Sequence, residues 1–169
     1  MSTVLTIAGT DSIGGAGVAA DLKAIASMDL HGCCVITAVT SQNTQGVSDI
    51  FPVLAKNVAS QLDAVFDDLN IDAVKTGMIY SAEIAEVISR KLRKENVPIV
   101  VDPVLCAGVG SPLFREDLKA AMFDKLFPLA TMVTPNRMEA EEFSSINIKK
   151  GSDAEDACRA ISSTPPAWS

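Results

Sequence analysis

Short apolar runs alternate with amphipathic stripes along nearly the whole chain. Val4 to Ala8 reads as a strand, and the turn-forming segment Gly9-Thr10-Asp11-Ser12-Ile13-Gly14-Gly15 follows it. Val18, Leu22, Ile25 and Ala26 then recur at helical spacing, which predicts a helix from near Ala16 whose end is marked by His31-Gly32. Cys33 to Thr40 is continuous in apolar character, as expected of a strand covered on both faces of a parallel sheet. The clearest helix carries Val58, Leu62, Val65, Phe66 and Leu69 on one stripe, with Asp63, Asp67 and Asp68 off it.

Ile71 to Thr76 is a third strand, and Ser81 is placed to cap a helix with the apolar face Ile84, Val87, Ile88 and Leu92. Pro98 to Val101 and Thr131 to Thr134 give two more strands, separated by a helix that bears Leu118, Ala121, Met122 and Leu126. A short helix over Arg137 to Phe143 and a last one through about Ser162 complete the series. Ser152-Asp153-Ala154-Glu155 has the spacing of a capping box that would open the last helix. Repeated strand-helix-strand order predicts an α/β fold, a three-layer sandwich with a mainly parallel sheet and helices on both faces. No repeat, low-complexity tract or interdomain linker interrupts it.

The rhythm breaks after that helix, where another strand is due. The chain reads Thr164-Pro165-Pro166-Ala167-Trp168-Ser169, and consecutive prolines cannot donate to a central ladder. An ordinary frayed tail and a chain that stops before its fold does are both open at this point.

Composition narrows the partners. The 169 residues fit one domain, and 48% hydrophobic with 21% charged side chains supports a packed core. Fourteen basic against 21 acidic residues give a net charge of −7 without any Lys/Arg-rich run. That argues against nucleic acid or an anionic membrane as partner and leaves a small molecule. No apolar stretch is long enough to span a bilayer, and the N-terminus lacks the basic region of a secretory signal, so a cytoplasmic location is expected. The four cysteines, Cys33, Cys34, Cys106 and Cys158, show no C-x-x-C spacing, and Cys33 and Cys34 should point to opposite faces of a strand. Reduced, mostly buried thiols are expected.

Ligands of open parallel sheets bind at the carboxyl ends of the strands, so the strand-to-helix junctions are the candidate chemistry. They are Gly9-Thr10-Asp11 with Gly14-Gly15-Ala16-Gly17, Ser41-Gln42-Asn43-Thr44, Lys75-Thr76-Gly77-Met78, Asp102-Pro103-Val104 and Thr134-Pro135-Asn136. The one histidine, His31, precedes a strand at the opposite edge, which excludes a Ser-His-Asp triad or a histidine metal cluster. Neither G-x-x-x-x-G-K-[ST] nor G-x-G-x-x-G occurs, so a Walker-type site and a dinucleotide-binding dehydrogenase both lose weight. The glycine loop either lets backbone approach a ligand or simply turns the chain. Asp102 is placed to act on a Mg²⁺ water shell or to cap a turn, and Asn136 with Glu139, spaced i, i+3, to order Mg²⁺-bound water or to cap a helix. Lys75 would balance phosphate charge or stand solvated.

At these residues the sequence resembles the hydroxymethylpyrimidine and phosphomethylpyrimidine kinases of thiamine biosynthesis, within the ribokinase-like superfamily. The match runs from Leu5 to about Phe143. It rests on Thr6-Ile7-Ala8-Gly9-Thr10-Asp11, Gly14-Gly15-Ala16-Gly17, Ala20-Asp21-Leu22-Lys23, Val35-Ile36-Thr37-Ala38 and Gln42-Asn43-Thr44. It continues through Lys75-Thr76-Gly77-Met78, Val101-Asp102-Pro103-Val104 and Thr134-Pro135-Asn136-Arg137-Met138-Glu139-Ala140-Glu141. The resemblance implies ATP- and Mg²⁺-dependent phosphoryl transfer to 4-amino-5-hydroxymethyl-2-methylpyrimidine and then to its monophosphate. It implies that Gln42 bonds the aminopyrimidine edge, with Gly9, Asp21, Met78 and Val104 around the ring. Asn136 and Glu139 would serve the nucleotide phosphates, and Asp102 with Glu139 the metal; a homodimer also fits the family.

The family's Gly-Thr-Gly-Cys segment, which forms an anion hole and supplies a proposed base, is absent from this sequence. No catalytic base is therefore carried over. Residues 1–163 are expected to be the N-terminal part of a pyrimidine-kinase domain, feeble or inactive by itself, and 164–169 an atypical tail. A non-catalytic pyrimidine-binding or regulatory module and a pyridoxal-type kinase are the alternative readings.

Overall fold

The first strand, Thr3–Ala8 (β1), sets the two faces of the sheet, because its alternation sends Leu5 and Ile7 one way and Val4 and Thr6 the other. The structure is a computed structural model that describes residues 1–106, 113 and 115–162; the tail 164–169 lies outside the described residues. β1 lies between His31–Ile36 (β2) and Ala73–Thr76 (β5), followed by Ile99–Val101 (β6) and Met132–Val133 (β7). The order is β2-β1-β5-β6-β7, and every neighbour is parallel, as crossover helices require.

The two outer layers are unequal. Leu5, Ile7, Val35, Val74 and Val101 face a core closed by helices Ala55–Asp68 (α2), Ala82–Leu92 (α3) and Leu118–Ala121 (α4). Val58, Leu62, Ile88 and Leu118 of those helices are fully buried there. The other face carries Gly17–Ser27 (α1), seated over Gly32, where a Cβ would come within 2.8 Å of Leu22. Farther along that face Met132 is 58% exposed. The expected α/β sandwich is present, with Cys33 packed on the larger core and Cys34 beside Thr6 on the opposite face.

Several boundaries differ from the sequence reading. The expected strand Cys33 to Thr40 breaks at Thr37, where Ala38–Asn43 (β3) leaves the sheet and pairs antiparallel with Gly46–Pro52 (β4). The turn is held by Asn43, whose Oδ1 accepts from the Gln45 and Gly46 N–H groups. An apolar run shows no sign of where a strand changes sheets, so this hairpin was hidden. α1 ends at Ser27 instead of His31-Gly32: Asp29 turns left-handed at φ 56°, and His31 already opens β2. The helix after α4 loosens into a π turn, Met122–Leu126, and a 3₁₀ turn, Phe127–Leu129, while its apolar stripe stays buried.

Ser81 caps α3 as expected, its Oγ accepting from Ile84 N–H at 3.4 Å. The box expected at Ser152 and Glu155 does not form. The last helix, Gly151–Ser162 (α6), begins earlier, and Asp153 accepts from the Lys149 and Lys150 N–H groups.

The glycine loop after β1 folds around Asp11. This side chain is 7% exposed and accepts from Ile13, Gly15 and Ala16 N–H at 3.1, 2.9 and 2.9 Å. Gly17 then has φ +58°, and a Cβ on it would sit 2.2 Å from the Gly9 carbonyl oxygen. Gly17→Ala is expected to destabilise the chain by about 2 kcal/mol or more in urea unfolding. Gly15→Ala, whose nearest contact would be 3.4 Å, should cost clearly less.

Candidate functional site

A cleft of about 270 Å³ opens at the carboxyl end of the sheet, where the chain segments after β1, β5 and β6 meet the hairpin. All five residues assigned to the ring by resemblance, Gly9, Asp21, Gln42, Met78 and Val104, line it, and so does Asp102. Close approach is built in at one wall: a Cβ on Gly9 would stand 2.8 Å from Met78 Sδ. Met78 is 6% exposed and packs with Ala38 and Leu113 in a small second core, with Val104 against it. That wall is apolar and suits the face of a flat ring.

The opposite side is charged. Lys75 donates to both oxygens of Asp21, at 3.1 and 3.0 Å, and Thr6 Oγ1 donates to the same carboxylate at 2.6 Å. Lys75 Nζ also lies 3.6 Å from Asp102 Oδ2. Lys75 is thus held in a network and is not simply solvated. Burial pushes the Asp102 carboxyl above its ordinary range; Lys75 opposes that shift and the Asp21 charge adds to it.

Asn136 and Glu139 occupy the junction after β7 and do not line the cleft. They form the capping box of Arg137–Ser144 (α5): Asn136 Oδ1 accepts from Glu139 N–H at 3.0 Å, and Glu139 Oε2 from Asn136 N–H at 2.8 Å. Glu139 is buried, and its Oε1 accepts from Leu105 N–H at 3.4 Å, which ties α5 to the segment after Asp102. Burial raises its carboxyl as well, against the two backbone donors and with the charge of Asp102 adding to the rise.

Larger hollows exist elsewhere; one of about 440 Å³ runs along Leu92 to Ile99 and includes Arg93, Lys94 and Glu95. Among the described residues, the groove of about 470 Å³ beside β7 has no Asp, Glu, Lys, Arg or His on its walls. Among the described residues, no group of three or more His, Cys, Asp or Glu is placed to hold a metal. Three of the four free cysteines are half-buried, and Cys158 is exposed, against the expectation of mostly buried thiols. Cys106 lines the cleft, a position that its sequence neighbourhood does not signal. Asp11 was legible only as a turn former, although a short carboxylate followed by Gly14-Gly15 is a pattern suited to gathering backbone N–H groups.

A family model described as phosphomethylpyrimidine kinase matches residues 11–168. A hydroxymethylpyrimidine/phosphomethylpyrimidine kinase of Synechococcus elongatus is 44% identical over 162 residues, covering 96% of this chain and 62% of that protein. The thiamine biosynthesis bifunctional protein ThiED of Geobacter sulfurreducens is 46% identical over 94% of this chain and 33% of its own length. The crystal structure of phosphomethylpyrimidine kinase from Clostridium difficile 630 superposes with a TM-score of 0.91 at 41% identity, over 98% of this chain and 72% of that one. A Bacillus subtilis pyridoxal kinase in complex with ADP gives 0.86 at 30% identity, over 98% and 62%. The chain therefore spans about three fifths of the length of the single-function relative from Synechococcus elongatus. With a family model matching residues 11–168 and a relative 44% identical over 96% of this chain, the chain belongs to the phosphomethylpyrimidine kinase family.

Proposed function

We propose that this chain carries the pyrimidine-binding part of an ATP-dependent kinase acting on the hydroxymethyl group of 4-amino-5-hydroxymethyl-2-methylpyrimidine and on its monophosphate. One observation carries the reading: Gln42, Gly9, Met78 and Val104 share a cleft whose other side is the Asp21-Lys75-Asp102 cluster. A flat ring fits the apolar wall, Gln42 meets its polar edge, and the hydroxymethyl group points toward the charged side. Phosphoryl transfer relies on positioning and charge neutralisation, which such a layout supplies.

The donor set fits Mg²⁺. Asp102 is a hard oxygen donor, one third exposed at the cleft, with Lys75 as a 3.6 Å neighbour. Glu139 has one backbone N–H on each oxygen and keeps further lone pairs, so it suits a water-mediated place behind Asp102. A bound Mg²⁺ would neutralise phosphate charge; Asn136, exposed at the start of α5, would face the nucleotide side. Solved pyridoxal kinases bearing ADP or AMP-PCP are relatives at 30–32% identity, which supports ATP as the donor. The higher identity to the phosphomethylpyrimidine kinase structure favours the pyrimidine over pyridoxal. Free thiols and the absence, among the described residues, of a helix able to cross a membrane suit a cytoplasmic setting.

Calorimetry with 4-amino-5-hydroxymethyl-2-methylpyrimidine tests the site directly. The folded chain should bind the ring, and Gln42→Ala should weaken binding by about tenfold; no binding by folded wild-type protein refutes the assignment. A pyrimidine sensor would bind equally well, so ADP release with ATP and Mg²⁺ in a version carrying the Gly-Thr-Gly-Cys segment separates kinase from sensor. For the charged side, a Lys75→Met, Asp21→Asn double-mutant cycle read by urea unfolding should return a coupling of about 1 kcal/mol or more. Additive effects would mean that the pair is energetically idle.

A further inference from the structure

The hairpin is fastened to the glycine loop by hydroxyl groups whose protons can be accounted for one at a time. Ser12 Oγ donates to the Thr40 carbonyl at 2.6 Å and accepts from Gln42 N–H at 3.2 Å, so it holds the backbone on both sides of Ser41. The β3–β4 register shifts between Ser41 and Gln42: Ser41 pairs with Asp49 and Gln42 with Val47, so the extra residue, Ser48, lies on β4 across from them. Thr40 is 2% exposed, and its Oγ1 lies 2.7 Å from the Thr10 carbonyl oxygen. A carbonyl only accepts, so the single proton of the Thr40 hydroxyl is committed there.

The same Oγ1 lies 3.3 Å from one end of the Gln42 carboxamide. With Oε1 at that end, two oxygens face each other with no proton between them. A half-turn of the amide, which leaves its shape unchanged, puts Nε2 there as donor to the free lone pair of Thr40. Gln42 then presents Oε1 to the cleft that it lines.

We propose that Thr40 is a positioning residue that fixes Gln42 as a hydrogen-bond acceptor, so that the cleft selects a ring carrying an N–H donor, such as an exocyclic amino group, over one carrying a carbonyl at that place. The inference rests on the pyrimidine reading of the site and adds the direction of its key hydrogen bond. A site built to pair one polar group discriminates strongly against a ligand that leaves that group unpaired.

The test titrates the chain calorimetrically at pH 7 with 4-amino-5-hydroxymethyl-2-methylpyrimidine and with its 4-oxo counterpart. Wild type and Thr40→Ser, which keeps the hydroxyl, should both prefer the amino ring. Thr40→Val frees the amide to turn, and the preference should fall by about tenfold. Adding Gln42→Glu to Thr40→Val should restore the preference, because both carboxylate oxygens accept. Circular dichroism establishes that each variant is folded, and Thr40→Ala replaces the valine variant if that one is not. An undiminished preference in the valine or alanine variant, or a wild-type preference for the oxo ring, overturns the role of Thr40 while leaving pyrimidine binding in place. Failure of folded wild type to bind either ring overturns the pyrimidine reading and this inference with it.

Discussion

The site depends on one corner of the backbone, Thr37. Its N–H donates to the Ala8 carbonyl at 3.0 Å, its carbonyl accepts from Val53 N–H at 2.9 Å, and its hydroxyl donates to the Met78 carbonyl at 2.6 Å. Those bonds pin together the end of β1, the return of the hairpin and the segment after β5. Just before the corner, Gln61 of α2 pairs both the N–H and the carbonyl of Ile36. An edge strand that stops inside a core would otherwise leave backbone groups without partners, which is costly. Here the polar accounting closes, and the chain is free to leave the sheet and roof the cleft.

The acids around the cleft divide by how fully their charge is met. Asp11 has three backbone donors, Asp21 has Lys75 and Thr6, and Glu139 has two backbone donors. Asp102 has the longest contact, 3.6 Å to a lysine already shared with Asp21. Burial outweighs Lys75 at Asp102 and raises its carboxyl, and at Glu139 it does the same against two backbone donors. Asp11, Glu139 and Asp21 are occupied in shaping loops, capping α5 and orienting Lys75.

Periodicity revealed most of the sheet and its helices because apolar spacing reports burial directly. Val58, Leu62, Ile84 and Ile88 lie in the core as their stripes required. It failed where burial continues while the architecture changes, at Thr37, and where two caps compete, at Ser152 against Asp153. The residues that the resemblance groups together share one cleft, although nothing in the spacing of Gly9, Gln42, Met78 and Val104 reveals that they meet. Asn136 and Glu139 were ambiguous for a physical reason: the residues that cap a helix are also those that hold a cation. The structure shows them capping. The roles of Thr10, Ser12 and Thr40 left no sequence signal, because hydroxyl residues are common in any loop and only the pairing distances distinguish them.

Apolar burial alone does not explain why the hairpin holds its position. Its outer face leaves Val39 47% and Phe51 70% exposed, directly opposite one another across the two strands. On its inner face Ala38 is buried, and Val47 and Ile50 pack only partly against Met78 and Leu113. A two-stranded ribbon with so small a core is marginal in water. The bonds from Thr10 and Ser12 therefore have a larger share in keeping it closed than such bonds have within the main sheet. Because hydrogen bonds are directional and apolar contact is not, a roof fastened in this way fixes the rotation of Gln42 as well as its distance from the cleft.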